Sequence, residues 1–76
     1  MAPPRSPRHL AFGEALRAAR TARGMSQEQL AHAAGLDRTY VSGIERGERN
    51  PSLMNILHLA DALATTLTEL VSRAEL

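Results

Sequence analysis

Apolar residues return every three or four positions in five stretches of this chain, a period that belongs to amphipathic helices rather than strands. Phe12, Leu16 and Ala19 form one stripe of a first helix, expected from about His9 or Leu10 to Arg23, with Met25 following at the turn. Leu30, Ala31 and Ala34 give a second, short helix, and Tyr40, Val41 and Ile44 the apolar side of a third. Leu53, Ile56, Leu57, Ala60 and Leu63 read as the inward face of a fourth. Leu67, Leu70 and Val71 belong to a last helix running toward Ala74. The pattern predicts an all-α chain folded as a compact five-helix bundle.

Residues that start and stop helices fall between these stretches. Ser26 followed by Gln29 fits a reciprocal N-terminal cap, and Thr66 with Glu69 repeats the pattern before the last helix. Ser52 after Pro51 caps the fourth. Gly24, Gly35 and Gly47 follow the first three helices, where a left-handed residue closes the helix. Asp37 is the expected cap of the third. The run Ser26–Gly47 is therefore two short helices joined by a tight turn, with small Ala31 where the helices must approach closely.

The third helix carries chemistry on one side only. With Arg38 at zero, Ser42, Thr39 and Gly43 fall at roughly 40°, 100° and 140°, and Tyr40, Ile44 and Val41 at roughly 200°, 240° and 300°. One arc anchors; the other presents an Arg, two hydroxyls and a Gly that lets a partner approach. Arg can bridge the O6 and N7 of guanine, and Thr or Ser can donate, accept or touch the thymine methyl. Arg38, Thr39, Ser42 and Gly43 are the candidate base-reading residues.

On these residues the chain resembles the lambda-repressor/Cro-like (XRE) helix-turn-helix family. The resemblance is carried by FGEALRAARTARGMSQEQLA, AGLDRTYVSGIERGERNPSL and ILHLADALATTLTEL, from about Phe12 to Val71. DRTYVSGIERGERN is most similar to small stand-alone regulators such as the controller proteins of restriction–modification systems. The resemblance implies an ion pair between Arg20 and Glu45 that ties the first helix to the end of the reading helix. It also implies a phosphate contact from Gln27 at the start of the second helix. Arg46, Arg49 and Asn50 follow the reading helix as phosphate clamps, with Glu48 turned to solvent. Tyr40 stands at the edge of the apolar arc, and either packs or places its hydroxyl on a phosphate. Family members commonly carry Gly near Ala64. Leu67, Leu70, Val71 and Leu76 make the last helix more apolar than a solvent-facing terminus requires, and part of it must complete the core. The remainder, with Leu67, Leu70 and Val71 as the candidate residues and the neighbouring surface of the fourth helix beside them, is the expected interface of a homodimer.

Composition narrows the picture. At 76 residues the chain is one small domain, able to bury only about 60% of its unfolded surface. With no Cys there is no disulfide or thiolate metal site, which suits a reducing cytoplasm, and the three His are too scattered for a metal site. No cofactor is expected. All nine basic side chains are Arg. Eight of them face five carboxylates within residues 1–49, net +3, whereas residues 50–76 hold one Arg and three carboxylates, net −2. The positive end is the one carrying the reading helix, as a phosphate-binding face needs. Residues 1–8, with Pro3, Pro4 and Pro7, read as a disordered arm ahead of a domain over 9–76. No stretch has the character of a secretion signal or a membrane span.

The expected function is a sequence-specific, dimeric DNA-binding regulator of transcription, cytoplasmic and nucleoid-associated, acting on double-stranded DNA at a palindromic operator. With no ligand-binding domain, concentration and dimerisation would set its activity. Polymerase or a toxin is a possible protein partner. The alternative is an antitoxin of the same fold that masks a toxin and autoregulates its operon. Catalysis is not expected, since no nucleophile–base pair, metal cluster or phosphate-cradling Gly loop is present.

Overall fold

Five helices in sequence, Pro7–Ala22 (α1), Gln27–Ala34 (α2), Arg38–Glu45 (α3), Leu53–Ala62 (α4) and Leu67–Ala74 (α5), make up the computed structural model, which describes residues 5–76. Among the described residues there is no strand. α1 packs on α3 and α5, α2 on α3 and α4, and α4 on α5. Leu16, Leu30, Val41, Ile44, Leu59, Leu63 and Leu70 meet in the centre, fully buried.

Local chemistry accounts for most boundaries. The Ser26–Gln29 cap is complete: Gln29 N–H donates to Ser26 Oγ at 3.0 Å, and Ser26 N–H donates to Gln29 Oε1 at 2.8 Å. Gly24, Gly35 and Gly47 adopt the left-handed backbone at φ +69°, +71° and +76°, a region nearly closed to other residues. At α5 only half the expected cap forms. Thr66 Oγ1 accepts from Glu69 N–H at 3.1 Å, but the Glu69 carboxylate accepts from Thr65 Oγ1 at 2.6 Å. Asp37 occupies the N-cap of α3 without a side-chain bond; its carbonyl accepts from Tyr40 and Val41 N–H instead. Ala64, at the turn where the resemblance suggests Gly, is itself left-handed at φ +54°.

Two expectations need correction. α1 begins at Pro7, capped by Ser6, rather than at His9 or Leu10. A first-turn Pro gives up no helical hydrogen bond, because its N–H would have no partner there. Of the expected arm, residues 1–4 lie outside the described residues, and Pro7 and Arg8 are helical.

The second correction concerns α4. Leu53 is 60% exposed and Leu57 half-buried, while Leu59, absent from the expected stripe, is fully buried beside Ala60 and Leu63. α4 is apolar at seven of its ten positions, with Asn55, His58 and Asp61 on the remaining side, so its apolar arc is too wide for periodicity alone to choose between Leu53 and Leu59. Packing against α2 and α5 chooses it. The result leaves Leu53 and Met54, 59% exposed, on the surface.

Candidate nucleic-acid interface

α3 is held so that one arc is buried and the other is presented. Val41 and Ile44 are in the core, whereas Arg38 and Thr39 are exposed and Ser42 is half-buried. Tyr40 packs partly against the core, and its hydroxyl accepts from Asn55 Nδ2 at 3.1 Å. That bond ties α3 to α4 and joins Tyr40 to the scaffold. Gly43 departs from expectation. It is buried, and a Cβ there would stand 2.6 Å from Arg49 Cγ. Gly43 thus seats the Arg49 stem and does not offer an open approach to a base.

The far end of α3 is fixed through a buried carboxylate. Glu45 is 9% exposed. Arg20 donates to it from Nε at 2.7 Å and from Nη2 at 3.1 Å, and Gln27 Nε2 donates at 3.0 Å. Arg20 Nη1 also donates to the Met25 carbonyl at 2.8 Å. The expected Arg20–Glu45 pair is therefore present, as a bidentate link joining α1, the α1–α2 turn and α3. The hydrogen bond to Glu45 raises the Arg20 pKa further above its ordinary value, against the effect of burial. An acid at a helix C-terminus faces an unfavourable dipole, and the guanidinium offsets it.

Gln27 is spent inside the protein. Its side chain is committed to Glu45, and the Gln29 amide of the same first turn to Ser26 Oγ, which leaves the Gln27 and Glu28 amides as the first-turn donors that the helix does not satisfy itself.

Gly13, which the hydrophobic pattern passes over, makes the α1–α3 approach possible. A Cβ at Gly13 would lie 2.5 Å from the carbonyl oxygens of both Ile44 and Glu45. The signal was a lone Gly inside a helical run, which marks close backbone approach.

Beyond α3, Arg46 donates to the Ser42 hydroxyl through Nη1 and to Glu48 Oε1 through Nη2 at 3.1 Å. Arg5 pairs with the other oxygen of the same carboxylate. Glu48 does not simply face solvent, as expected; it lies between two guanidinium groups. The hydrogen bond from Arg46, with the charges of Arg46 and Arg5, lowers the Glu48 pKa below the ordinary carboxylate value. Arg49 and Asn50 are exposed.

The expected dimer residues separate. Leu70 is 1% exposed and belongs to the protomer core, so it cannot form an interface; Leu67 and Val71 are half-buried. Among the described residues there is no group of three His, Cys, Asp or Glu able to hold a metal, and no helix long and apolar enough to cross a membrane.

A capped helix, a tight glycine turn and a second helix with an anchored arc and an exposed polar arc define a helix-turn-helix protein. The helix-turn-helix family model matches residues 16–70, and the chain belongs to that family, whose members are DNA-binding regulators of transcription and not enzymes. Within it, the chain is similar to the control protein C.SmaI of Serratia marcescens, 44% identical over 62 residues that cover 82% of this chain and 74% of that one. It is 46% identical over 63 residues to the control protein C.BamHI of Bacillus amyloliquefaciens, covering 82% and 78% of the two chains. The crystal structure of the restriction–modification controller protein C.AhdI from Aeromonas hydrophila superposes with a TM-score of 0.81 at 58% identity, covering 82% of this chain and 94% of that one.

Proposed function

We infer that this chain is a controller-type regulator that binds a palindromic operator as a homodimer in the cytoplasm, associated with the nucleoid. Arg38, Thr39 and Ser42 read base edges in the major groove; Arg46, Arg49, Asn50 and the first turn of α2 hold phosphates. The observation that carries this reading is the exposure of Arg38 and Thr39 on a helix whose opposite arc is anchored by fully buried Val41 and Ile44 and whose end is bolted to α1. Such a helix presents rigid donors, and rigid presentation is what direct readout needs.

One reading helix covers few base pairs. A two-fold dimer sets two of them ~34 Å apart, one DNA turn. Exposed Leu53 and Met54, beside half-buried Leu57, form an apolar patch on α4. This patch, rather than one centred on Leu70, supports the interface, with Leu67 and Val71 at most at its margin. The similarity to control proteins favours gene regulation over the masking of a toxin.

Selection of bound sites from random duplex DNA tests the reading, with a two-fold symmetric motif as the expected result. Arg38→Ala should then cost ~1–3 kcal/mol and relax preference at one base pair of each half-site. An equal loss on every duplex would remove Arg38 from base reading.

A further inference from the structure

Ser42, Arg46, Glu48 and Arg5 form one connected chain of side chains that starts on the reading arc. Arg46 sits one helical turn beyond Ser42 and bonds its hydroxyl. Its other terminal nitrogen, and the guanidinium of Arg5, hold opposite oxygens of Glu48. Both arginines are more than half exposed, at 60% and 53%, while Glu48 beneath them is 24% exposed. A carboxylate held between two guanidinium groups occupies the place a DNA phosphate would take, since both anions suit the same donors.

We propose that Glu48 is a specificity-setting residue that stands in for phosphate, clasping Arg5 and Arg46 until the reading helix seats on its cognate site. This rests on the DNA-binding reading above. On random duplex the helix does not seat, and the arginines stay with Glu48. On the operator, base contacts draw α3 into the groove, phosphates compete at close range, and the two arginines transfer to the backbone. Glu48 then stands unpaired near phosphates, which lowers cognate affinity somewhat. It lowers random affinity more, because there the arginines contribute nothing. Discrimination of this kind uses a repulsive element against the wrong partner as well as attraction to the right one.

The test measures affinity of the full chain for a selected operator duplex and for a random-sequence duplex of equal length, across a salt series. Glu48→Gln keeps the shape and removes the charge. Each arginine released onto phosphate should steepen the random-duplex salt slope by about 0.9, a gain of about eightfold at 0.1 M salt relative to 1 M. The operator should gain less, so the specificity ratio falls. Glu75→Gln, at the C-cap of α5, the helix that packs on α1 and α4, changes net charge equally and should leave the ratio unchanged. Arg46→Ala should act in the opposite sense, weakening the operator complex while leaving random duplex nearly unaffected. In an Arg5→Ala, Arg46→Ala background, Glu48→Gln should do no more than Glu75→Gln.

The clasp is overturned if Glu48→Gln shifts operator and random duplex by the same factor, or matches the Glu75→Gln control. It is equally overturned if Arg46→Ala weakens both duplexes alike. A native protein that prefers no duplex would bring down the DNA-binding reading itself. Native discrimination with an unremarkable Glu48→Gln would bring down the clasp alone.

Discussion

Replacing Arg20 by Met removes the guanidinium from Glu45 and keeps most of the side-chain volume. The Glu45 side chain is 3% exposed and that of Arg20 11%, so water cannot freely resolvate the carboxylate left behind. Removing one partner of a buried pair costs about 3–5 kcal/mol. The partial exposure of Arg20 and the remaining bond from Gln27 place this case near the low end, about 3 kcal/mol. A domain of this size has a total stability of about 4–11 kcal/mol. The loss should lower the melting temperature by roughly 12–24 °C, followed by far-ultraviolet circular dichroism at fixed protein concentration. Adding Glu45→Leu to Arg20→Met should recover much of that loss, since no buried charge then lacks a partner. A single variant melting within a few degrees of the native protein, or a double variant worse than the single, would refute the view that this carboxylate holds three segments together.

Gly13→Ala should destabilise by at least about 1–3 kcal/mol, because the new methyl meets two backbone carbonyls that cannot rotate away; urea titration reads the shift in midpoint. Ala64→Gly should stabilise by up to about 1 kcal/mol, removing the left-handed cost of an L-residue at the α4–α5 turn, and an unchanged melting temperature would contradict the strain argument. Met54→Asp should convert dimer to monomer in sedimentation with the helical signal intact, whereas Leu70→Asp should unfold the chain; dissociation without unfolding by the second variant would restore Leu70 to the interface. At low pH the Glu48 contribution should fade. Its folded pKa is lowered from the ordinary 4.5, so the stabilisation is present above that value and is lost as pH falls through the depressed one. The gap in melting temperature between the native protein and Glu48→Gln should close on acidification.

What could be read from the chain followed the range of the interactions responsible. The Ser26–Gln29 cap, the left-handed glycines and the two arcs of α3 depend on residues within one or two helical turns, and, buried Gly43 apart, they stand where the pattern places them. The buried face of α4 has no sufficient local mark, because its apolar arc, seven of ten positions, is wider than the face it buries, and packing against α2 and α5 decides which part is covered. Leu70 was assigned outward for a related reason: a short amphipathic helix shows that it has an oily side, but not whether its own bundle or a second copy covers that side. Gly13 needed the position of the Glu45 carbonyl, 32 residues away in sequence. The Arg5–Glu48 contact spans 43 residues and has no local signature. The Arg20–Glu45 link was expected only through family resemblance, since two charges 25 residues apart carry no mark of their pairing.

Arg38 and Thr39 are exposed, outside the hydrogen-bonded groups that hold Tyr40, Ser42 and Glu45 in place. Exchanging either should change folding free energy by no more than about 0.5 kcal/mol. With the base-reading roles proposed for Arg38 and Thr39, target preference can drift at these two positions without eroding the scaffold. Related regulators sharing one cell can diverge to avoid one another's sites by single substitutions, each tolerated on its own.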